Sequence, residues 1–124
     1  MSSRFCFLLL AAIFIAPSFA YAEGDVKKGK KHFKKCAACH TPDKDGAHKV
    51  GPNLWGTYGK KAAQKSDFKY SQALMDANLT WDDATLDAWI KKPAKLVKGT
   101  KMIYPGLRKA KQRTDLIAYL KTLQ

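Results

Sequence analysis

Acidic side chains are scarce in this sequence: 10 Asp and Glu stand against 23 Lys and Arg in 124 residues, a formal net charge of +13. Cysteine is scarcer still. Three occur, Cys6, Cys36 and Cys39, too few for a disulfide framework and without the second pair that a four-cysteine zinc site uses. No stretch alternates apolar and polar residues over any length, which leaves no basis for a sheet. Long apolar runs are missing too. The longest, "FCFLLLAAIFIA" from Phe5 to Ala16, falls short of the roughly 20 residues that cross a bilayer.

That run still has a meaning. It follows one positive charge at Arg4 and leads into "PSFAYAEG", where Ala20 and Ala22 flank Tyr21. This is the order of a secretory signal peptide with an A-x-A-like cleavage site. The expected division is a leader over 1–22, removed on export to the periplasm, and one domain over 23–124. Cys6 and Arg4 leave with the leader, so the mature chain keeps two cysteines and 22 basic against 10 acidic residues, a formal +12. Export argues against nucleic acid as the ligand of this charge and favours an acidic protein or membrane surface. A domain of this size buries a modest core and often relies on a disulfide, metal or cofactor. One disulfide closing a two-residue loop would add little.

Helical periodicity accounts for much of what remains. From Asp25 to Cys36, Val26, Gly29 and Phe33 fall at spacings of three and four, with lysines between them. The spacing predicts an amphipathic helix, and a glycine in its contact face predicts a close neighbour, since Gly costs about 1 kcal/mol against Ala there. A partner is available in "RTDLIAYLKTLQ", where Leu116, Leu120 and Leu123 form an apolar stripe beside Ile117 and Tyr119. A third helix is expected in "TWDDATLDAWIKKP", with Thr80 and Asp83 as a capping box and Pro93 as its stop. A shorter helical turn is expected from Ser71 to Ala77. Residues 41–66 are rich in Gly, Lys and Pro and show no period. The fold class is a small all-α domain with a long central loop, which needs something to organise it.

The chemistry concentrates in "KKCAACHTPDKDG", residues 34–46. A redox dithiol would place C-x-x-C beside a βαβ unit, and no strands are available. A zinc site would take Cys36, Cys39 and His40 and still need a fourth ligand, for which only His32 and His48 remain. Covalent haem attachment uses all five positions: two thiols a short helical turn apart meet two vinyl groups on one porphyrin edge, and His40 is carried under the ring as the proximal iron ligand. A sixth ligand is available in "KGTKMIYPGL", where Met102 lies between Gly99 and Gly106 in a segment too turn-rich for a helix. Met75 falls on an expected helix. A His/Met pair closes the iron to substrates and raises its potential. The competing reading is a c-type haem enzyme or sensor with the sixth position open.

Taken in order, "GDVKKGKKHF", "KCAACHT", "HKVGPNLWG", "KYS", "LTWDD", "GTKMIYPGL" and "DLIAYL" resemble class I c-type cytochromes of the mitochondrial type and their bacterial periplasmic relatives, over nearly the whole mature length. The resemblance implies a cytochrome c fold with crossing terminal helices, Gly29, Phe33, Leu116 and Tyr119 at the crossing. It implies a non-enzymatic, monomeric electron carrier holding one haem c through Cys36 and Cys39, with His40 and Met102 on iron. It implies that the carbonyl of Pro52 accepts the His40 ring N–H, and that Tyr70, Trp81 and Thr100 bond to a buried haem propionate. Lys35, Lys49, Lys95, Lys101 and Lys109 match a positive ring that docks acidic redox partners: a quinol-oxidising complex, terminal oxidase, reaction centre or dehydrogenase. The chain departs from the pattern at Lys98, where proline is usual, at Lys60, where arginine is usual, and at Leu74, where asparagine is usual. These departures bear on the potential and on the rigidity of the methionine loop.

Overall fold

The computed structural model describes Ile15 and residues 23–124. The expected leader, Ile15 apart, lies outside the described residues. Five helices follow in order: α1 (Val26–Phe33), α2 (Gln72–Asp76), α3 (Asp83–Lys91), α4 (Pro93–Leu96) and α5 (Ala110–Lys121). Among the described residues there is no strand, only an isolated antiparallel bridge between Lys61 and Thr80. No described helix is long and apolar enough to cross a membrane. The architecture is the expected all-α one.

α1 begins where Asp25 accepts the Lys28 N–H at 2.9 Å, and its last turn carries Lys30, Lys31 and His32. Cations at that end complement the helix dipole. The helix stops at Phe33, three residues before the expected Cys36. Backbone turns then carry its winding forward, Cys36 N–H to Phe33 O at 2.7 Å and His40 N–H to Cys36 O at 2.9 Å.

α1 crosses α5 at Gly29. A Cβ there would enter the Asp115 carbonyl and come to 2.8 Å from the Tyr119 Cβ, so the glycine is required by contact with a neighbouring backbone. Phe33 meets Tyr119 edge-on, ring centroids 5.3 Å apart, and Leu116 is 2% exposed. Asp115, also 2% exposed, accepts the Asp25 N–H at 2.8 Å and pairs with Lys111. A carboxylate from α5 thus serves the start of α1. Burial works to raise the Asp115 pKa, but the Lys111 ammonium and the Asp25 N–H outweigh it and hold the group below the usual carboxylate range.

α3 corrects one expectation. Its N-cap is Asp82, which accepts the Thr85 N–H at 2.8 Å, and not Thr80, which is engaged in the bridge to Lys61. Asp83 is left free to accept from the Tyr58 hydroxyl at 2.9 Å and from Lys121 at 2.7 Å. Pro93 ends α3 as expected, with Lys92 forced into extended backbone before it. It also starts α4, because a proline fits the first helical position, where its missing N–H is not needed.

The segment 97–109 leaves α4 and returns to α5. Val97 and Leu107, 5% and 4% exposed, anchor its two ends. At the return, Gly106 lies at φ +100° against the Lys91 carbonyl, and Leu107 N–H bonds to Ile90 O at 2.9 Å. Arg113, buried, donates to the carbonyls of Leu107 and Arg108 at 2.9 and 2.7 Å and pairs with Asp87 at 2.7 Å.

The crossing yields a prediction that runs against helix propensity. Gly29→Ala should destabilise the protein by about 1–3 kcal/mol through overpacking, although Ala is the better helix former by about 1 kcal/mol. Urea unfolding checks it. A midpoint equal to or above that of the parent would mean that the two helices do not approach as closely as described.

Candidate functional site

The turns after α1, the loop 49–71, α3 and the segment 97–109 together enclose a cavity of about 550 Å³. That is within the roughly 300–1,000 Å³ of cofactor-sized sites. Cys36, Cys39, His40, Pro52, Tyr70, Trp81, Thr100 and Met102, the eight residues expected at a haem site, all line it. Lys35 and Lys101 lie on its rim. Lys49, Lys95 and Lys109 do not line it. Lys49 donates to the Ala37 carbonyl at 2.6 Å beside the cysteine turn, while Lys95 and Lys109 are exposed on α4 and at the start of α5.

The imidazole is set by its surroundings. His40 is 9% exposed and its Nδ1 lies 2.7 Å from the Pro52 carbonyl, which can only accept, so Nδ1 carries the proton and Nε2 keeps its lone pair. Burial pushes its pKa down, the Pro52 carbonyl acts against that, and Lys49 adds to the lowering. A neutral imidazole with a fixed tautomer is the form that binds a metal. Gly51 makes room for it, since a Cβ there would stand 2.8 Å from His40 Nε2.

The loop that presents Pro52 is braced from inside. Asn53, 4% exposed, donates to Thr41 Oγ1 at 2.8 Å and to the Asp43 carbonyl at 2.8 Å, and its Oδ1 accepts the Trp55 N–H at 3.1 Å. Its own N–H bonds to His48 Nδ1 at 2.9 Å, and His48 Nε2 therefore donates to Asp67, also at 2.9 Å. His48 thus joins the loop at 48–53 to the one at 65–68.

Cys36 and Cys39 are free thiols on one wall. Burial and the neighbouring Cys39 push the Cys36 thiol up to about 11. Met102 N–H bonds to Thr100 Oγ1 at 3.3 Å, just after the turn at Gly99, φ +91°. Thr100 so braces Met102, and its hydroxyl keeps donor capacity towards the cavity. The Tyr70 hydroxyl accepts the Lys65 N–H at 3.3 Å, leaving its own proton to donate. Trp81 packs on Trp89 with centroids 5.3 Å apart. Neither indole N–H has a protein partner, and no fully enclosed side-chain donor goes unpaired among the described residues. Both indoles line the cavity.

Sequence reasoning missed several wall residues. Leu86, Trp89 and Ile90 come from the buried face of α3, and Leu116 and Leu120 from α5. Spacing alone marks those positions as core, and a core position and a cavity wall have the same pattern. Tyr104, Lys65 and Lys69 also line the cavity, and nothing in the sequence distinguishes them from loop residues. Leu74, noted as a departure, is 8% exposed in the wall, while Lys60 is exposed at the rim. Two apolar side chains stand bare beside the opening: Val50 is 82% exposed and Ile103 99% exposed.

The set fits a flat apolar group with acid substituents, joined through two thiols, with an imidazole on one side and a thioether on the other. Comparison with known proteins agrees. A family model described as "Cytochrome c" matches residues 26–124. The cytochrome c of Gibberella zeae is 48% identical over 101 residues, covering 81% of this chain and 95% of that protein. That of Sesamum indicum is 48% identical, over 79% of this chain and 89% of that protein. Cytochrome cH from Methylobacterium extorquens superposes with a TM-score of 0.75 at 45% identity, over 80% of this chain and 99% of that one.

Asn53 offers a test of how the site is held. Asn53→Ala strips partners from several buried groups and should cost about 1–3 kcal/mol. Asn53→Asp, which keeps shape but sets a carboxylate against the Asp43 carbonyl, should cost at least as much. Unfolding curves for the two variants check the order; an Asp variant as stable as the parent contradicts the assigned donor role.

Proposed function

The chain belongs to the cytochrome c family, its cofactor is one haem c bound through Cys36 and Cys39, and from that premise we propose a soluble one-electron carrier of the periplasm. When bound, the haem supplies the iron(III)/iron(II) couple. The protein's part is to hold the residues that would bind the iron and to keep water out. His40, through Nε2, and Met102, through its thioether, would be those residues. The observation that carries it is the His40–Pro52 bond of 2.7 Å, which presents an unprotonated Nε2 to the cavity that Met102 also lines. A carbonyl acceptor on Nδ1 raises the basicity of the ligating nitrogen.

Low reorganisation follows from the supports already described. Pro52 and Asn53 keep the imidazole from turning, Thr100 and the anchors at Val97 and Leu107 restrain the thioether, and the α3 side chains exclude solvent. Tyr70, Trp81 and Thr100 would hold a propionate. Export is supported by the leader-like residues 1–22. A partner would dock at the opening flanked by Val50 and Ile103, where Lys35 and Lys101 stand on the rim and Lys49, Lys95 and Lys109 extend the positive field. Apolar contacts inside a ring of charge suit brief docking with acidic redox proteins, of the quinol-oxidising, oxidase, reaction-centre or dehydrogenase kind.

Ligation is tested by Met102→Ala. The variant should keep covalent haem, lose its low-spin spectrum, and shift the iron(III)/iron(II) equilibrium at least tenfold towards iron(III), about 59 mV for one electron. An unchanged spectrum and potential would move the sixth ligand away from Met102.

Docking is tested by charge reversal. Lys35→Glu and Lys101→Glu should each slow electron transfer to a physiological partner several-fold at low salt, with the effect fading as the Debye length shrinks below about 8 Å. Lys27→Glu changes net charge equally from an exposed site in the first turn of α1, which does not line the cavity, and should slow it less. Equal losses in stopped-flow rates for all three would show that total charge governs the encounter. Lys121 makes a poor control, because its bonds to Asp83 tie α5 to α3.

A further inference from the structure

Among the described residues no acidic side chain lines the cavity, yet six lysines do: Lys35, Lys60, Lys61, Lys65, Lys69 and Lys101. Lys35 and Lys101 belong to the rim already described. The other four gather on the stretch 60–69, and their surroundings separate them. Lys60, Lys61 and Lys69 are exposed, Lys61 donating to Asn78 Oδ1 at 3.1 Å. Lys65 is half-buried, and its Nζ donates to the Trp55 carbonyl at 3.1 Å. The backbone N–H of Lys65 reaches the Tyr70 hydroxyl. Asp67, two residues on, is exposed and bonds to His48 at 2.9 Å.

A half-buried ammonium with one carbonyl for a partner has two donors left, and no acid of the described residues stands in the wall to take them. The geometry points to Lys65 as a positioning residue for the bound haem: its ammonium takes a haem carboxylate and holds it ionised, in the place where family resemblance alone would have put Lys60. This rests on the haem reading above and adds a residue to it. Tyr70 is coupled to the same point, since the bond it accepts from the Lys65 N–H leaves its own proton for the carboxylate. A fixed cation beside an ionised carboxylate cancels a negative charge near the iron and favours the reduced form, and exposed Lys60 does less because water screens it.

The test is a spectroelectrochemical titration of the holoprotein from about pH 4.5 to 9, a window that brackets shifted carboxyl values. Lys65→Gln keeps a donor for the Trp55 carbonyl and removes only the charge. It should shift the iron(III)/iron(II) ratio several-fold towards iron(III) near neutral pH and move the carboxyl-linked bend in the potential to higher pH. Lys65→Arg should restore both, and Lys60→Gln should change either one far less. Equal effects of Lys65→Gln and Lys60→Gln would overturn the assignment, as would a Lys65→Gln profile matching the parent. If Lys65→Arg lowers the potential as much as Lys65→Gln does, the side chain acts through packing at Trp55 and the charge role fails. A parent protein that carries no covalent haem would remove the function itself, an outcome visible before any lysine is changed.

Discussion

Gly29 lying against the carbonyl of Asp115 is the contact on which the site depends. Any larger residue would lift α1 off α5, and the turn bearing Cys36, Cys39 and His40 is the direct continuation of α1. Leu116 and Leu120 on α5, and Met102 on the segment leading into it, line the same cavity and belong to the other partner of the crossing. One backbone-to-backbone approach therefore ties together two parts of the cavity lining. The buried Asp115, serving Asp25 across this junction, locks the register of the two helices where apolar packing alone would tolerate sliding.

What could be read from the sequence was local or periodic. C-A-A-C-H was legible because five chemically constrained positions are adjacent, and the stripe on α5 because it repeats with the helix. Gly29 announced a close neighbour by being a poor residue for its place. The start of α3 was misread because Thr80 and Asp82 both satisfy the same capping rule, and a bridge to Lys61, remote in sequence, decides between them. α4 escaped because Pro93 signals both an end and a beginning. The buried charges Arg113 and Asp115 look like surface residues until their partners are known. Lys65 is the plainest case: among 23 basic residues, only the packing around it tells which one is half-buried at the cavity with its ammonium on the Trp55 carbonyl.

Charge is handled in two ways in this molecule. Inside, the buried ionic groups are matched: Arg113 with Asp87 and two carbonyls, Asp115 with Lys111 and an N–H. Such pairs contribute through the cost of breaking them more than through net attraction. At the surface, the lysines of α1 and of the rim face water with few acids near them. They add little to stability and give the molecule a one-signed field, which governs encounters at long range while the bare side chains of Val50 and Ile103 govern them at contact.

The bond between the Asp25 N–H and Asp115 joins residues 90 positions apart, and it has a consequence in time. A chain is made from one end, so α1 exists long before α5 does and has nothing to pack on while it waits. An eight-residue helix is too short to persist in water alone. The cysteine turn therefore gains its support from the fold only when nearly the last residues are in place, and until α1 has docked on α5 both thiols of Cys36 and Cys39, half-exposed even in the folded chain, are open to attachment chemistry.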